Sequence, residues 1–122
     1  MMRGGAYLNL ARRGEGEDNY GRAFTDLSKA IEINPLDYEA YWLRASVQYD
    51  QGRQSAALRD CNQALKIDPN FLNAYLERAR VLEAIGRRAE AAADLRKAAQ
   101  IDPQLKEYLR EFARKLGVKL EL

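Results

Sequence analysis

The sequence predicts an all-α fold of antiparallel helix pairs stacked in series, on three observations. The prolines Pro35, Pro69 and Pro103 stand 34 residues apart, and each closes a similar phrase: Ile33-Asn34-Pro35, Ile67-Asp68-Pro69 and Ile101-Asp102-Pro103. Counting back from them gives in-phase columns: Tyr7, Tyr41 and Tyr75; Ala11, Ala45 and Ala79; Ala23, Ala57 and Ala91; Asp26, Asp60 and Asp94; Ala30, Ala64 and Ala98. Within a unit the apolar residues recur at helical spacing, and strand-like alternation is absent apart from the last six residues.

The units run 4–37, 38–71 and 72–105, and the whole chain, 1–122, reads as one domain. Unit one opens on Gly4 and Gly5, where a capping side chain would be expected. Gly14 and Gly16 fall late in its first helix, each at about 1 kcal/mol of helix propensity relative to alanine. Unit one is therefore expected to be the weakest and the quickest to exchange its amide hydrogens. Its outer flank, around Tyr7 and Leu10 to Ala11, is expected to stay open. That edge would join a preceding repeat of a longer parent protein or make a weak homo-oligomeric self-contact.

Units two and three are more regular. Tyr41, Ala45 and Gln48 to Tyr49 mark the apolar face of a first helix, and Leu58, Cys61, Ala64 and Leu65 that of a second. Gly52 and Gly86 stand between the two runs, where a helix end needs positive φ. Pro69 is expected to end the second helix and to fit the first turn of the next. From Lys106, the residues Leu109, Phe112, Ala113 and Leu116 predict a capping helix over 106–117, with Arg110, Glu111, Arg114 and Lys115 outward and Gly117 as its stop. The tail 118–122 alternates apolar and charged residues and is left unassigned.

Composition narrows the function. There are 122 residues, 47% apolar and 31% charged, with a net charge of +2, one cysteine and no histidine. Without histidine, Ser-His-Asp and Cys-His nucleophile systems and most transition-metal sites fall away. No Gly-rich phosphate loop is present either, so no catalytic residue, cofactor or metal ligand is expected. The charges are interspersed, which argues against nucleic acid and membrane-surface partners. No run is long and apolar enough to span a membrane, and the default location is the cytoplasm unless the chain is an excised fragment.

The columns resemble the tetratricopeptide repeat family over nearly the whole chain: a large residue first, a small one four later, alanines in the second helix and a closing proline. The resemblance implies a right-handed superhelical α-solenoid whose inner face is built from first helices, serving as a protein-interaction scaffold. In that family the second, fifth, ninth, twelfth and thirteenth residues of a unit line the groove. The fifth positions here are Leu8, Trp42 and Leu76, the ninth Arg12, Ser46 and Arg80, and the twelfth Glu15, Tyr49 and Glu83. The expected peptide groove is an apolar and aromatic strip, Leu8, Trp42, Tyr49 and Leu76, between Arg12 and Arg80, with Ser46 and Glu83 alongside. Its partner would be a protein or peptide with apolar or aromatic side chains and an acidic group near Arg12 or Arg80. The plainer alternative is that Trp42 and Leu76 only pack against neighbouring helices.

Chaperone-binding members of the family hold an acidic chaperone tail in a carboxylate clamp of Lys, Asn, Asn, Lys and Arg. The matching residues here are Leu8, Arg12, Leu43, Asn73 and Glu77, so a heat-shock chaperone tail is not the expected partner. The alternative to an interaction module is a structural or self-assembling repeat element. Two ion-pair schemes are open: Arg44 with Asp60 and Arg78 with Asp94 across a hairpin, or Asp26 with Arg44 and Asp60 with Arg78 across a unit boundary. Either would fix packing and register rather than carry chemistry. Cys61 shares a column with Leu27 and Leu95 and reads as a small buried hydrophobe.

Overall fold

The computed structural model describes residues 17–122. Six helices follow in order: α1 (Glu17–Ile33), α2 (Tyr38–Asp50), α3 (Gln54–Ile67), α4 (Leu72–Ala84), α5 (Arg88–Ile101) and, after a 3₁₀ turn at Pro103–Leu105, α6 (Lys106–Leu116). The first helix expected for unit one, with Leu8, Arg12, Glu15 and its glycines, lies outside the described residues.

The turns between units follow from their Asx-Pro pairs. A residue before proline is held out of the α region. Accordingly Asp68 (φ −128°, ψ 96°) and Asp102 (φ −137°, ψ 92°) are extended and end α3 and α5. Proline brings no N–H, so the Asx side chain turns to the next one along. Asn34 Oδ1 accepts from the Leu36 N–H at 3.2 Å, and Asp68 and Asp102 accept from Asn70 and Gln104 at 3.1 Å. Pro69 therefore lies within the turn before α4, not in the first turn of that helix as the sequence suggested. Pro103 opens the 3₁₀ turn instead. Asp37 Oδ1 caps α2 through the Ala40 N–H at 3.1 Å.

The turns inside a unit depend on glycine. Gly52 (φ +79°) and Gly86 (φ +83°) take the left-handed conformation that closes α2 and α4. The N–H of Gly52 donates to Tyr49 O at 3.0 Å and that of Arg53 to Gln48 O at 2.8 Å; Gly86 and Arg87 repeat the pair on Glu83 and Leu82. These are Schellman closures, which return the chain at once into an antiparallel helix. Gly117 ends α6 in the same way, and Val118 follows it into the core. The tail that the sequence left unassigned forms neither helix nor strand; Val118 is buried and Leu120 half-buried against the same cluster.

Helix pairs α2–α3 and α4–α5 pack as hairpins, α1 meets α2, α3 meets α4, and α2 also touches α4. Alanine makes these approaches possible. Ala23, Ala45, Ala57, Ala79 and Ala91 have no exposed surface, and Leu27, Leu95 and Leu109 fill the spaces between. Cys61 is likewise fully buried, and burial, before the nearby carboxylates, pushes its thiol well above the usual range. It is an inert core group.

Between the two ion-pair schemes, the structure takes the hairpin one. Arg44 Nε and Nη2 donate to Asp60 Oδ2 and Oδ1 at 2.7 and 2.9 Å, and Arg78 does the same to Asp94 at 2.8 and 2.6 Å. The third nitrogen reaches back one unit. Arg44 Nη1 donates to Ser28 Oγ on α1 at 3.2 Å, and Arg78 Nη1 to Asn62 Oδ1 on α3 at 3.0 Å. Each guanidinium thus joins three helices, and it lies against its own unit's tyrosine ring, Arg44 at 5.8 Å from Tyr41 and Arg78 at 5.5 Å from Tyr75. The unit boundary is crossed, but through the Ser28 and Asn62 column rather than through aspartate.

Two stability measurements check this account. A Cβ at Gly52 would meet nothing within 4 Å, so Gly52→Ala carries only the left-handed backbone strain. Urea unfolding should show a loss of about 1 kcal/mol, and Gly52→Asn a smaller one. Arg78→Ala strands Asp94, whose side chain is 7% exposed, while the arginine it loses is 25% exposed. A loss of about 2 kcal/mol is expected, below the value for a wholly buried pair, with part of it recovered in Arg78→Ala/Asp94→Ala.

Candidate functional site

The first helices α2 and α4 lie side by side, so equal repeat positions on them become neighbours in space. That places Trp42 beside the row of Leu76, and Ser46 beside the row of Arg80. One turn further along come Tyr49 and Glu83. The site is the surface these rows share.

Trp42 is half-buried. Its indole meets Phe71 edge-on at 5.4 Å with an interplanar angle of 89°, and Tyr38 approaches the same Phe71 ring at 4.9 Å. Both Trp42 and Leu76 rest on the main apolar cluster and keep part of their surface open. The indole thus packs at the unit boundary and is still partly exposed.

Below this strip sits a charged network that sequence reasoning did not assemble. Glu77 is only 6% exposed. Its Oε1 accepts from Ser46 Oγ at 2.5 Å, and its Oε2 accepts from Arg80 Nη2 at 2.7 Å and Nε at 3.2 Å. The Arg80 guanidinium then lies over the Tyr49 ring, 4.4 Å from its centroid. Burial works against the charge of Arg80, but Glu77, and then Tyr49 and Asp50, outweigh it and hold the guanidinium above its ordinary value. Four residues from α2 and α4 are thereby locked together.

This corrects two expectations about the groove. Ser46 is buried, at 3% exposure, and serves the Glu77 network from beneath instead of facing outward. Arg80 is not a free cation at the polar margin, because the two nitrogens on one edge of its guanidinium are already engaged by a carboxylate of the chain itself. Glu83 is half-buried, with Arg88 of α5 at 3.6 Å. Leu8 and Arg12 lie outside the described residues. Sequence reasoning treated Glu77 only as a charge unsuited to a clamp. The signal for its actual place was present: it precedes Arg80 by three residues on one helix, and Ser46 shares the repeat position of Arg80 on the next.

Among the described residues, no helix is long and apolar enough to cross a membrane. The sequence profile of the tetratricopeptide repeat matches residues 2–71, and a second profile of the same description matches residues 72–105. Among solved structures the chain is similar to the Arabidopsis OM64 TPR domain, at 28% identity over 95% of each chain with a TM-score of 0.76. It is similar to the TPR2B domain in the yeast Sti1 TPR2B–pHsp70 complex, at 22% identity over 96% of this chain and 98% of that one, TM-score 0.75. It is also similar to the second TPR domain of human RPAP3, in complex with the HSP70 peptide SGPTIEEVD, at 20% identity over 97% and 95%, TM-score 0.77. No curated protein sequence matches at a significant level. Two profiles that together span most of the chain, on a fold of stacked antiparallel helix pairs, establish that the chain belongs to the tetratricopeptide repeat family.

Proposed function

We propose that the chain is a protein-interaction module, without catalysis, that takes a peptide or partner surface along the concave face of its first helices. One observation carries this reading. Trp42 and Leu76 keep part of their surface exposed on neighbouring helices beside the bonded Tyr49–Arg80–Glu77–Ser46 network, a surface that would suit an apolar anchor. The yeast Sti1 domain in its pHsp70 complex and the human RPAP3 domain with an HSP70 peptide support the coarser point that domains of this fold take peptide partners.

The same reading excludes an acidic chaperone tail. At the clamp positions stand Leu8, Arg12, Leu43, Asn73 and Glu77, and the one carboxylate placed among them belongs to the chain. A ligand carboxylate would have to compete with Glu77 for Arg80 and would leave a buried charge behind.

Two measurements test the proposal. Affinity capture with the wild-type chain, identified by mass spectrometry, should yield partners lost with Trp42→Ala and with Arg80→Glu. Truncating the tryptophan should weaken a purified partner at least about 30-fold, as for an interface hot spot. Partners bound equally well by all three proteins would refute the groove. In calorimetry, SGPTIEEVD should bind no better than a scrambled peptide; sequence-specific micromolar affinity would overturn the exclusion.

A further inference from the structure

A second surface is built from α5 and α6 rather than from α2 and α4, and a segment of the chain is already seated on it. Residues 118–122 run back along α6. Val118 follows the left-handed turn at Gly117, and its N–H donates to Ala113 O at 2.9 Å. Leu122 lines a cleft with Lys106, at the start of the same helix. A helix of 11 residues is about 16 Å long. Five residues cover that distance only when extended, at about 3.3 Å each. Burial alternates accordingly: Val118 is buried, Leu120 half-buried and Leu122 38% exposed, whereas Lys119 and Glu121 face solvent.

The hold on this segment is slight. Among the described residues, 118–122 make no hydrogen bond besides that of the Val118 N–H. The segment also leaves space on both sides. A cleft of about 440 Å³ lies against Ala113 and Arg114 of α6, and one of about 360 Å³ against Arg96, Ala99 and Gln100 of α5. Val118 and Leu120 are the side chains that join it to the apolar cluster. A segment held this way opens at a small fraction of the global unfolding free energy. Arg96 and Lys106 both line the α5 cleft, and its one carboxylate is Glu121 of the segment itself. Neither cation has an ion-pair partner among the described residues.

We propose that α5 and α6 form a second docking surface and that residues 118–122 are the strap that closes it. The partner is an extended segment with apolar side chains at alternate positions and a carboxylate toward Arg96 and Lys106. The seated strap is the template for that chemistry: Val118, Leu120 and Leu122 set the alternation, and Glu121 shares the cleft of the two cations. A partner with larger apolar groups fills the clefts that the strap leaves, and so displaces it.

Titration followed by nuclear magnetic resonance provides the test. The probe is a synthetic peptide with the sequence of residues 117–122. It is added to the isotope-labelled full chain, as wild type and as Val118→Ser/Leu120→Ser, which releases the strap. Circular dichroism melting verifies that the variant folds, and Val118→Ala/Leu120→Ala replaces it if it does not. In the released chain the peptide should shift the amide signals of Arg96, Ala99, Gln100 and Lys106. Its affinity there should exceed that for the wild type by about tenfold, because the attached strap competes from an effective concentration of about millimolar. A peptide carrying Glu121→Lys should bind the released chain about threefold more weakly. No shift, shifts elsewhere, or equal binding to both chains would overturn the strapped surface. An affinity unchanged by Glu121→Lys would overturn the carboxylate in the partner.

Discussion

The arginine of each regular first helix holds the array together. Arg44 and Arg78 each give two parallel hydrogen bonds to an aspartate of their own hairpin and a third to the preceding second helix. A planar guanidinium suits this because its donors point in fixed directions, and a lysine ammonium could not make the two parallel bonds to one carboxylate while reaching back to the preceding helix. Apolar contacts between alanine faces are short-ranged and tolerate sliding. The arginine fork does not, and so it fixes the register that the small residues permit. Everything on the inner face inherits that register.

The groove network depends on it directly. Glu77 can accept from Ser46 only if α2 and α4 are aligned so that their ninth positions are neighbours. Once aligned, a buried carboxylate, a hydroxyl, a guanidinium and a phenol ring satisfy one another with little left over. The arrangement makes a firm floor beneath Trp42 and Leu76. It also commits one edge of the Arg80 guanidinium to a carboxylate of the chain itself.

The far end of the array shows the same economy of small devices. Gly117 closes α6 with the pattern used inside each unit, and its Schellman geometry delivers Val118 into the cluster that holds Leu95, Leu109 and Ala113. The tail is irregular because five residues with two charges cannot complete a helix or find a strand to pair with, yet two of its apolar side chains still find cover.

Repeat period, helix pairing and the family are legible in the sequence because they rest on local rules. An Asx-Pro pair must break a helix, a glycine between two apolar runs must supply positive φ, and alanine at a fixed spacing must mark a close approach. Those rules act within a few residues, and the columns repeat them. The ion-pair scheme was left between two alternatives, since both schemes place the same charges on facing helices and only the packed distance separates them. Of the candidate surface, the shared phase of Trp42, Tyr49 and Leu76 follows from the repeat, but the sequence shows only the sign of Glu77 and the repeat position of Ser46. Their bond spans 31 residues and two helices. Whether a charge is free to meet a partner or spent on a neighbour is set by burial and by which side chains the tertiary fold brings within hydrogen-bond reach, and no local rule carries that information.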